Sequence, residues 1–198
     1  MRIIAFSFIL MAFLRIDAVG QTTIVSMFNI IPVANNGSQT FTKGEKITGE
    51  PFFINEWLKG TIILQNGETY NRYQLKYNTY NQTLLFLNGK ESIEIDQPIN
   101  EFMLLAEGVR PVYFIRADAY NTKQKGYFER VSDLPQCQLL RLNKKTSESV
   151  SPMLTALNDS KTFENSSDFF IFDKSLNKIS SYKKASPALR AMFNLNGY

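Results

Sequence analysis

Residues 64–86 read LQNGETYNRYQLKYNTYNQTLLF. Asn66-Gly67 is the dipeptide that a tight hairpin turn favours, because its central positions must accept positive φ. Residues 69–77 return from that turn with β-branched and aromatic side chains, which suit a pleated, half-buried surface. Tyr80-Asn81-Gln82 then turns the chain again. The stretch is rich in tyrosine and also carries Arg72 and Lys76, so it raises the question of a binding stripe. Period-2 parity answers it. Tyr73, Leu75 and Tyr77 share one face of a strand, and Arg72, Gln74, Lys76 and Asn78 share the other. A platform for single-stranded nucleic acid interleaves basic and aromatic side chains on one surface, and this pattern separates them. Tyr70 and Tyr80 have the other parity, lie near the turns, and are expected to be exposed.

The same reading extends outward. KGTIILQ, residues 59–65, is a strand before the first turn. Residues 84–87 form a strand, Asn88-Gly89 a further turn, and residues 92–96 the strand after it. Three short turns in succession make an antiparallel meander. Upstream, residues 21–32 are expected to be a first strand and residues 34–49 a long loop or a loose edge. Downstream, residues 102–106 are apolar, 111–120 form a strand, 121–126 a polar loop and 127–131 the returning strand. Residues 137–143 form another strand, ending at Lys144-Lys145. The Ser/Thr/Asn-rich residues 146–167 read as a surface excursion. Residues 168–173 and 178–182 pair around Leu176-Asn177. Ser186-Pro187 reads as a helix N-cap with proline at the first helical position, opening a short helix near 187–194. The expected fold is all-β: a single domain over residues 21–198, an antiparallel meander closed into a barrel or rolled into a sheet or sandwich, with a short C-terminal helix.

The N-terminus, MRIIAFSFILMAFLRIDAVGQ, has Arg2, an apolar run over residues 3–14, and a segment ending Ala18-Val19-Gly20. That is the layout of an export signal, residues 1–20, with cleavage before Gln21. The run falls short of the roughly 20 residues a spanning helix needs, although retention as an anchor is the competing reading. The expected protein is therefore exported, to the periplasm or the cell surface, with no membrane span in the mature form. The chain of 198 residues carries a formal charge of +4, and its basic residues are scattered apart from Lys144-Lys145 and Lys183-Lys184. Nucleic-acid binding, which concentrates such residues on one face, is not expected. The single cysteine, Cys137, cannot form an internal disulfide and is expected to be a buried, inert thiol.

Gly49, Pro51 and Phe52, Trp57 with Gly60, Asn66-Gly67 with Tyr70, Leu75-Lys76-Tyr77-Asn78 with Tyr80, and Leu85-Phe86 form one pattern. Residues 169–182, followed by a lysine-rich turn and a helix with Leu189 and Phe193, form another. Together they resemble uncharacterised exported β-rich proteins of Bacteroidetes-type bacteria, over about two-thirds of the chain after residue 20. The resemblance implies a fold of strands and turns. It implies no catalytic motif and no activity. Members of that family often continue into a longer charged helix after the position of Phe193, whereas the sequence here stops at Tyr198.

The chain has no histidine. Ser-His and Cys-His nucleophilic pairs and the commonest zinc sites are therefore absent, as is the usual acid–base group near neutral pH. No phosphate loop, EF-hand or nucleophile-elbow motif occurs, and no cofactor is expected. Glu91, Glu94, Asp96 and Glu101 are the densest carboxylates. Glu94 and Asp96 read as the solvated face opposite Ile93 and Ile95, with weak cation binding and carboxylate-dependent hydrolysis as the lesser readings. Asp118, Glu129 and Asp133 flank the second hairpin. Trp57 is the only tryptophan, and a core anchor is its expected role, with a sugar-stacking platform as the alternative. Asn36, Asn81, Asn158 and Asn165 lie in N-x-Ser/Thr sequons. The expected function is a non-enzymatic binding or scaffolding module of a bacterial envelope, its partner an envelope protein or a glycan. Trp57, Tyr70 and Tyr80 are the candidate contact residues. A small-ligand or glycan binder using a barrel mouth or aromatic groove is the alternative.

Overall fold

The computed structural model describes residues 31–32, 46–149 and 160–196. The export-like segment, most of the expected first strand, and the sequons at Asn36 and Asn158 lie outside these residues; Asn81 and Asn165 are exposed. The strands are β1 (Ile31–Pro32), β2 (Lys46–Thr48), β3 (Leu58–Leu64), β4 (Thr69–Asn78), β5 (Thr83–Asn88), β6 (Glu91–Glu94), β7 (Ile99–Leu105), β8 (Val112–Arg116), β9 (Tyr127–Asp133), β10 (Cys137–Ser149), β11 (Ser160–Asp173) and β12 (Lys178–Tyr182). Among the described residues one α-helix, α1 (Ala185–Leu195), follows.

All twelve strands join one sheet in the order β1-β6-β5-β4-β3-β7-β8-β9-β10-β11-β12, with β2 added in parallel to β11. Every other pairing of named strands is antiparallel. The chain runs outward from β3 to β6, crosses back to the other side of β3 as β7, and continues outward to β12. The expected all-β fold with a C-terminal helix is what forms. The sheet is not closed into a barrel; β1 and β12 end the strand order without pairing to each other. It does curl. The turn between β4 and β5 reaches β10, where Lys145 donates its backbone N–H to the Thr79 carbonyl at 3.3 Å. Gln82 Nε2 donates to the Asn143 carbonyl at 2.9 Å.

Register places three apolar clusters on the sheet. The largest gathers Ile62, Leu64, Leu75, Tyr77, Leu84, Phe86, Ile93, Ile99, Phe102, Leu104 and Phe114, with their neighbours, on the inner face of the curl. Phe102 stacks on Phe114 at 4.7 Å, and Tyr77 meets both edge-on at 5.2 and 5.0 Å. Such pairs add about 0.5–1.5 kcal/mol each beyond area burial. Phe114 faces Glu129 across the β8–β9 ladder, while Ile115 faces Phe128, so the two rows lie on opposite faces. Phe128, Leu140, Leu142 and Phe170 consequently build a second cluster on the opposite face, closed by Ala117 and Tyr120. The third cluster, Cys137, Leu139 and Ile171, returns to the inner side and is covered by Ala188 and Met192 of α1.

Several sequence expectations change. The stretch over 34–49, expected as a long loop or a loose edge, contributes β2, which pairs in parallel with residues 160–162 of β11. The strand expected over 111–120 stops at Arg116, and Ala117–Tyr120 form a 3-10 turn ended by Asn121 at φ 53. That turn buries Ala117 and Tyr120 together, which a continuing strand would send to opposite faces. Residues 146–167 are not a free excursion throughout: β10 and β11 stay paired from Cys137↔Asp173 to Ser149↔Lys161. The turn between β5 and β6 centres on Gly89-Lys90, because Asn88 pairs with Glu91. The cap of α1 is Lys184 rather than Ser186, without a side-chain cap bond. Pro187 still lies in the first turn, where a missing N–H removes no intrahelical bond.

Candidate functional site

Tyr70 corrects the parity reading. Gly60 pairs with Tyr73 and Thr61 with Asn71, so Arg72 is an extra residue on β4. It sits at φ 64, a one-residue bulge with its extra residue in the left-handed region. The bulge shifts every residue before it by one position, which is enough to exchange faces. Tyr70 therefore pairs with buried Ile62 and packs against the inner cluster alongside Tyr73. Its hydroxyl donates to Glu68 Oε2 at 2.8 Å. Partial burial, then that hydrogen bond, raises the phenol above its ordinary range.

Trp57 is half-buried rather than a core anchor. It immediately precedes buried Leu58, so it takes the outer parity of Lys59. The chain segment before it lies across the end of β4: Phe53 N–H donates to the Tyr77 carbonyl at 2.8 Å, and Thr79 N–H to the Pro51 carbonyl at 3.0 Å. Phe52 bridges to Asn78. Lys76 Nζ consequently lies 4.1 Å from the Phe52 ring centre and 5.7 Å from that of Trp57, a cation–π arrangement. Burial lowers the Lys76 ammonium from its ordinary value, with Glu50 opposing the shift. Tyr80 is also half-buried, edge-on to Phe163 at 5.1 Å. Trp57 and Tyr80 thus flank the same Pro51–Phe52 crossing, and Tyr70 belongs to the other side of the sheet.

A second feature of the outer face was not foreseen. Lys59, Thr61 and Ile63 face outward on β3, and their register partners are Leu105, Met103 and Glu101 on β7. Met103 in turn pairs with Tyr113 on β8. Leu105 and Tyr113 remain 41% and 40% exposed. Beside Tyr113 lies an open groove of about 120 Å³, lined by Thr61, Ile63, Glu101, Phe102, Met103 and Tyr113. Arg130 extends over the Tyr113 ring at 5.0 Å. The outer face of an antiparallel sheet ordinarily alternates to polar residues; here Ile63, Met103, Leu105 and Tyr113 interrupt that rule. The sequence signal was present in INEFMLL and VYFIR. Both runs are apolar on both parities, a pattern that signals only a strand buried on two sides or a face awaiting cover.

Among the described residues the carboxylates form no shared centre. Glu101 is the only carboxylate among the groove's lining residues. Ile93 and Ile95 are buried opposite half-exposed Glu94 and exposed Asp96, as the alternation required. Among the described residues no group of three or more His, Cys, Asp or Glu is placed to hold a metal ion. Glu129, expected on a hairpin flank, is buried. Arg141 donates to it twice, Nε to Oε2 at 2.9 Å and a terminal nitrogen to Oε1 at 2.6 Å. Asn143 Nδ2 adds a third bond at 2.6 Å. This bidentate clasp ties β9 to β10. Cys137 is fully buried under α1, where Asn196 Nδ2 lies 3.1 Å from its sulfur. No described helix is long and apolar enough to cross a membrane. Comparison of the chain with protein-family models, curated proteins and solved structures gives no significant match.

Proposed function

We propose that this protein is an exported, non-enzymatic binding or scaffolding module of a bacterial envelope, and that its partner is an envelope protein held on the outer face of β3, β7 and β8. The observation that carries the reading is the row Ile63, Met103, Leu105 and Tyr113 on a face that alternation would make polar. Exposed apolar area with a polar rim is the common mark of a protein contact. Thr61, Glu101 and Arg130 supply such a rim here. The export-like N-terminus supports a partner outside the cytoplasm, and the absence of histidine favours binding over catalysis.

The test is recovery of partners from the native envelope with the full chain as bait, repeated with Met103→Lys/Tyr113→Lys. Both side chains face outward, so the double variant is expected to keep its circular dichroism spectrum and to lose the partner. Equal recovery by both proteins refutes this surface. A glycan binder is the second reading, supported by the half-exposed Trp57 beside Lys76 and Phe52. Glycan-array binding that Trp57→Ala abolishes, with no protein recovered, would select it. The N-terminus has its own check: protein from the native host that begins at Met1 refutes cleavage before Gln21.

A further inference from the structure

We propose that the free edge of β12 is a docking site for an acidic, extended segment of a partner protein, which adds to the sheet as an antiparallel or parallel strand. β12 ends the strand order, and among the described residues nothing pairs with its outer side. An edge strand presents unpaired N–H and C=O groups, a template that accepts another extended chain. The strand reads KISSY. Ser180 and Ser181, at its centre, are too small to shield those groups. The strand is held firmly from behind: β11 pairs with it over Phe169↔Tyr182 to Asp173↔Lys178, and β11 is itself paired with β10 along its length.

Charge determines what the edge accepts. Lys178 opens the strand, and Lys183 and Lys184 follow it. The nearby carboxylates are already engaged. Asp168 is bound by Lys144 at 2.8 Å and Lys183 at 3.1 Å. Asp133 is bound by Lys174 at 2.6 Å. Asp173 Oδ1 accepts from the Ser175 hydroxyl and from the backbone N–H groups of Ser175 and Leu176. Lys178 and Lys184 are left exposed and make no ion pair with a described residue. Lysine on an edge discourages association of identical edges. Two β12 strands paired antiparallel would bring Lys178 of one copy toward Lys183 and Lys184 of the other, and like charges across a ladder are destabilising. The same lysines attract a strand that carries Glu or Asp. This site is separate from the outer-face groove, so either can fail without the other.

The probe is a fluorescent peptide alternating glutamate with valine, titrated against the full chain and followed by anisotropy. Hydrogen exchange locates the contact. Binding is expected to protect amides of β12, to weaken as salt rises, and to weaken ~10-fold or more in Lys178→Glu/Lys184→Glu. That variant is expected to prefer a peptide alternating lysine with valine. Met103→Lys/Tyr113→Lys should bind the acidic peptide normally. The proposal is overturned by absence of binding, by equal binding of the lysine peptide to the unaltered chain, or by protection that maps away from β12. Concentration-dependent dimerisation that protects β12 would overturn it as well, since a second copy would then be the occupant.

Discussion

Gly60 is the position at which the smallest possible substitution should do most damage. It is buried on β3, next to the register shift opposite Arg72. A Cβ added there would lie 2.4 Å from the Met103 carbonyl oxygen, 2.5 Å from Leu75 Cδ1 and 3.2 Å from Leu75 Cγ. Leu75 is fully buried inside the inner cluster, so its side chain has little room to turn away. The Met103 oxygen is backbone in the neighbouring strand and moves only if β7 moves. Gly60→Ala therefore overpacks the core, at about 1–3 kcal/mol, and loosens one or two β3–β7 ladder bonds, at about 1 kcal/mol each. The entropic gain on replacing glycine within a strand offsets about 0.5–1 kcal/mol of this. The expected net loss is about 1–4 kcal/mol, a large part of the roughly 5–15 kcal/mol by which domains are stable. At about 2–4 °C per kcal/mol for a chain of this size, the melting temperature should fall by roughly 2–16 °C. Urea unfolding followed by circular dichroism measures it. A loss below ~0.5 kcal/mol would show that β3 and β7 are not packed as closely as described. Gly67→Ala is the control: nothing lies within 4 Å of its Cβ position, and its φ of 88 is the sole objection. A cost of about 1–2 kcal/mol is expected there, from backbone conformation alone.

Three further outcomes follow from the same geometry. Arg72→Gly should stabilise the protein by about 0.5–1 kcal/mol by relieving a left-handed φ of 64; a loss in the urea midpoint would mean that the arginine side chain matters more than its backbone. Glu129→Ala should cost about 2–4 kcal/mol, because it leaves Arg141 and Asn143 facing a half-buried void, whereas exposed Glu91→Ala should change stability by less than ~0.5 kcal/mol. Acid titration supplies the third. Hydrogen bonds from Lys144, and then from Lys183, hold Asp168 below the usual carboxylate range. Its contribution is therefore complete above an unfolded pKa of about 4 and is lost as pH falls through the lower folded value. Asp168→Asn should flatten the fall in the urea midpoint below about pH 4; an unchanged slope would assign the acid sensitivity to other groups.

The first meander was legible because its signals are local. Asn66-Gly67 and Tyr80-Asn81-Gln82 set the turns, and alternating apolar residues set which way each strand faces. Glu94 and Asp96 could be placed outside on parity alone. The errors share a different cause. Nothing in TYNRYQLKYN marks Arg72 as the bulged residue, and that one insertion carried Tyr70 from the solvent side to the core side. NKKTSES and SKTFENSS lack apolar alternation, so the outer half of the β10–β11 hairpin read as an excursion; each arm is extended because the other is. Trp57 was expected in the core, but the Pro51–Phe52 crossing and Lys76 hold it at the surface instead.

Of the three contact residues named from sequence, the fold keeps Trp57 and Tyr80 near one crossing and moves Tyr70 to another face. The outer groove was not legible, because its residues come from β3, β7 and β8 and meet only after the chain crosses back from β6. By itself, then, the sequence determined the all-β class, the turns of the first meander to within a residue, the C-terminal helix and the lack of histidine chemistry, since these depend on residue type and near-neighbour spacing. Only the tertiary structure decided register, the open rather than closed sheet, the buried Glu129–Arg141 clasp and the exposed edge of β12. Those depend on pairings between residues distant in the chain, where one extra residue or one crossover reassigns a whole face.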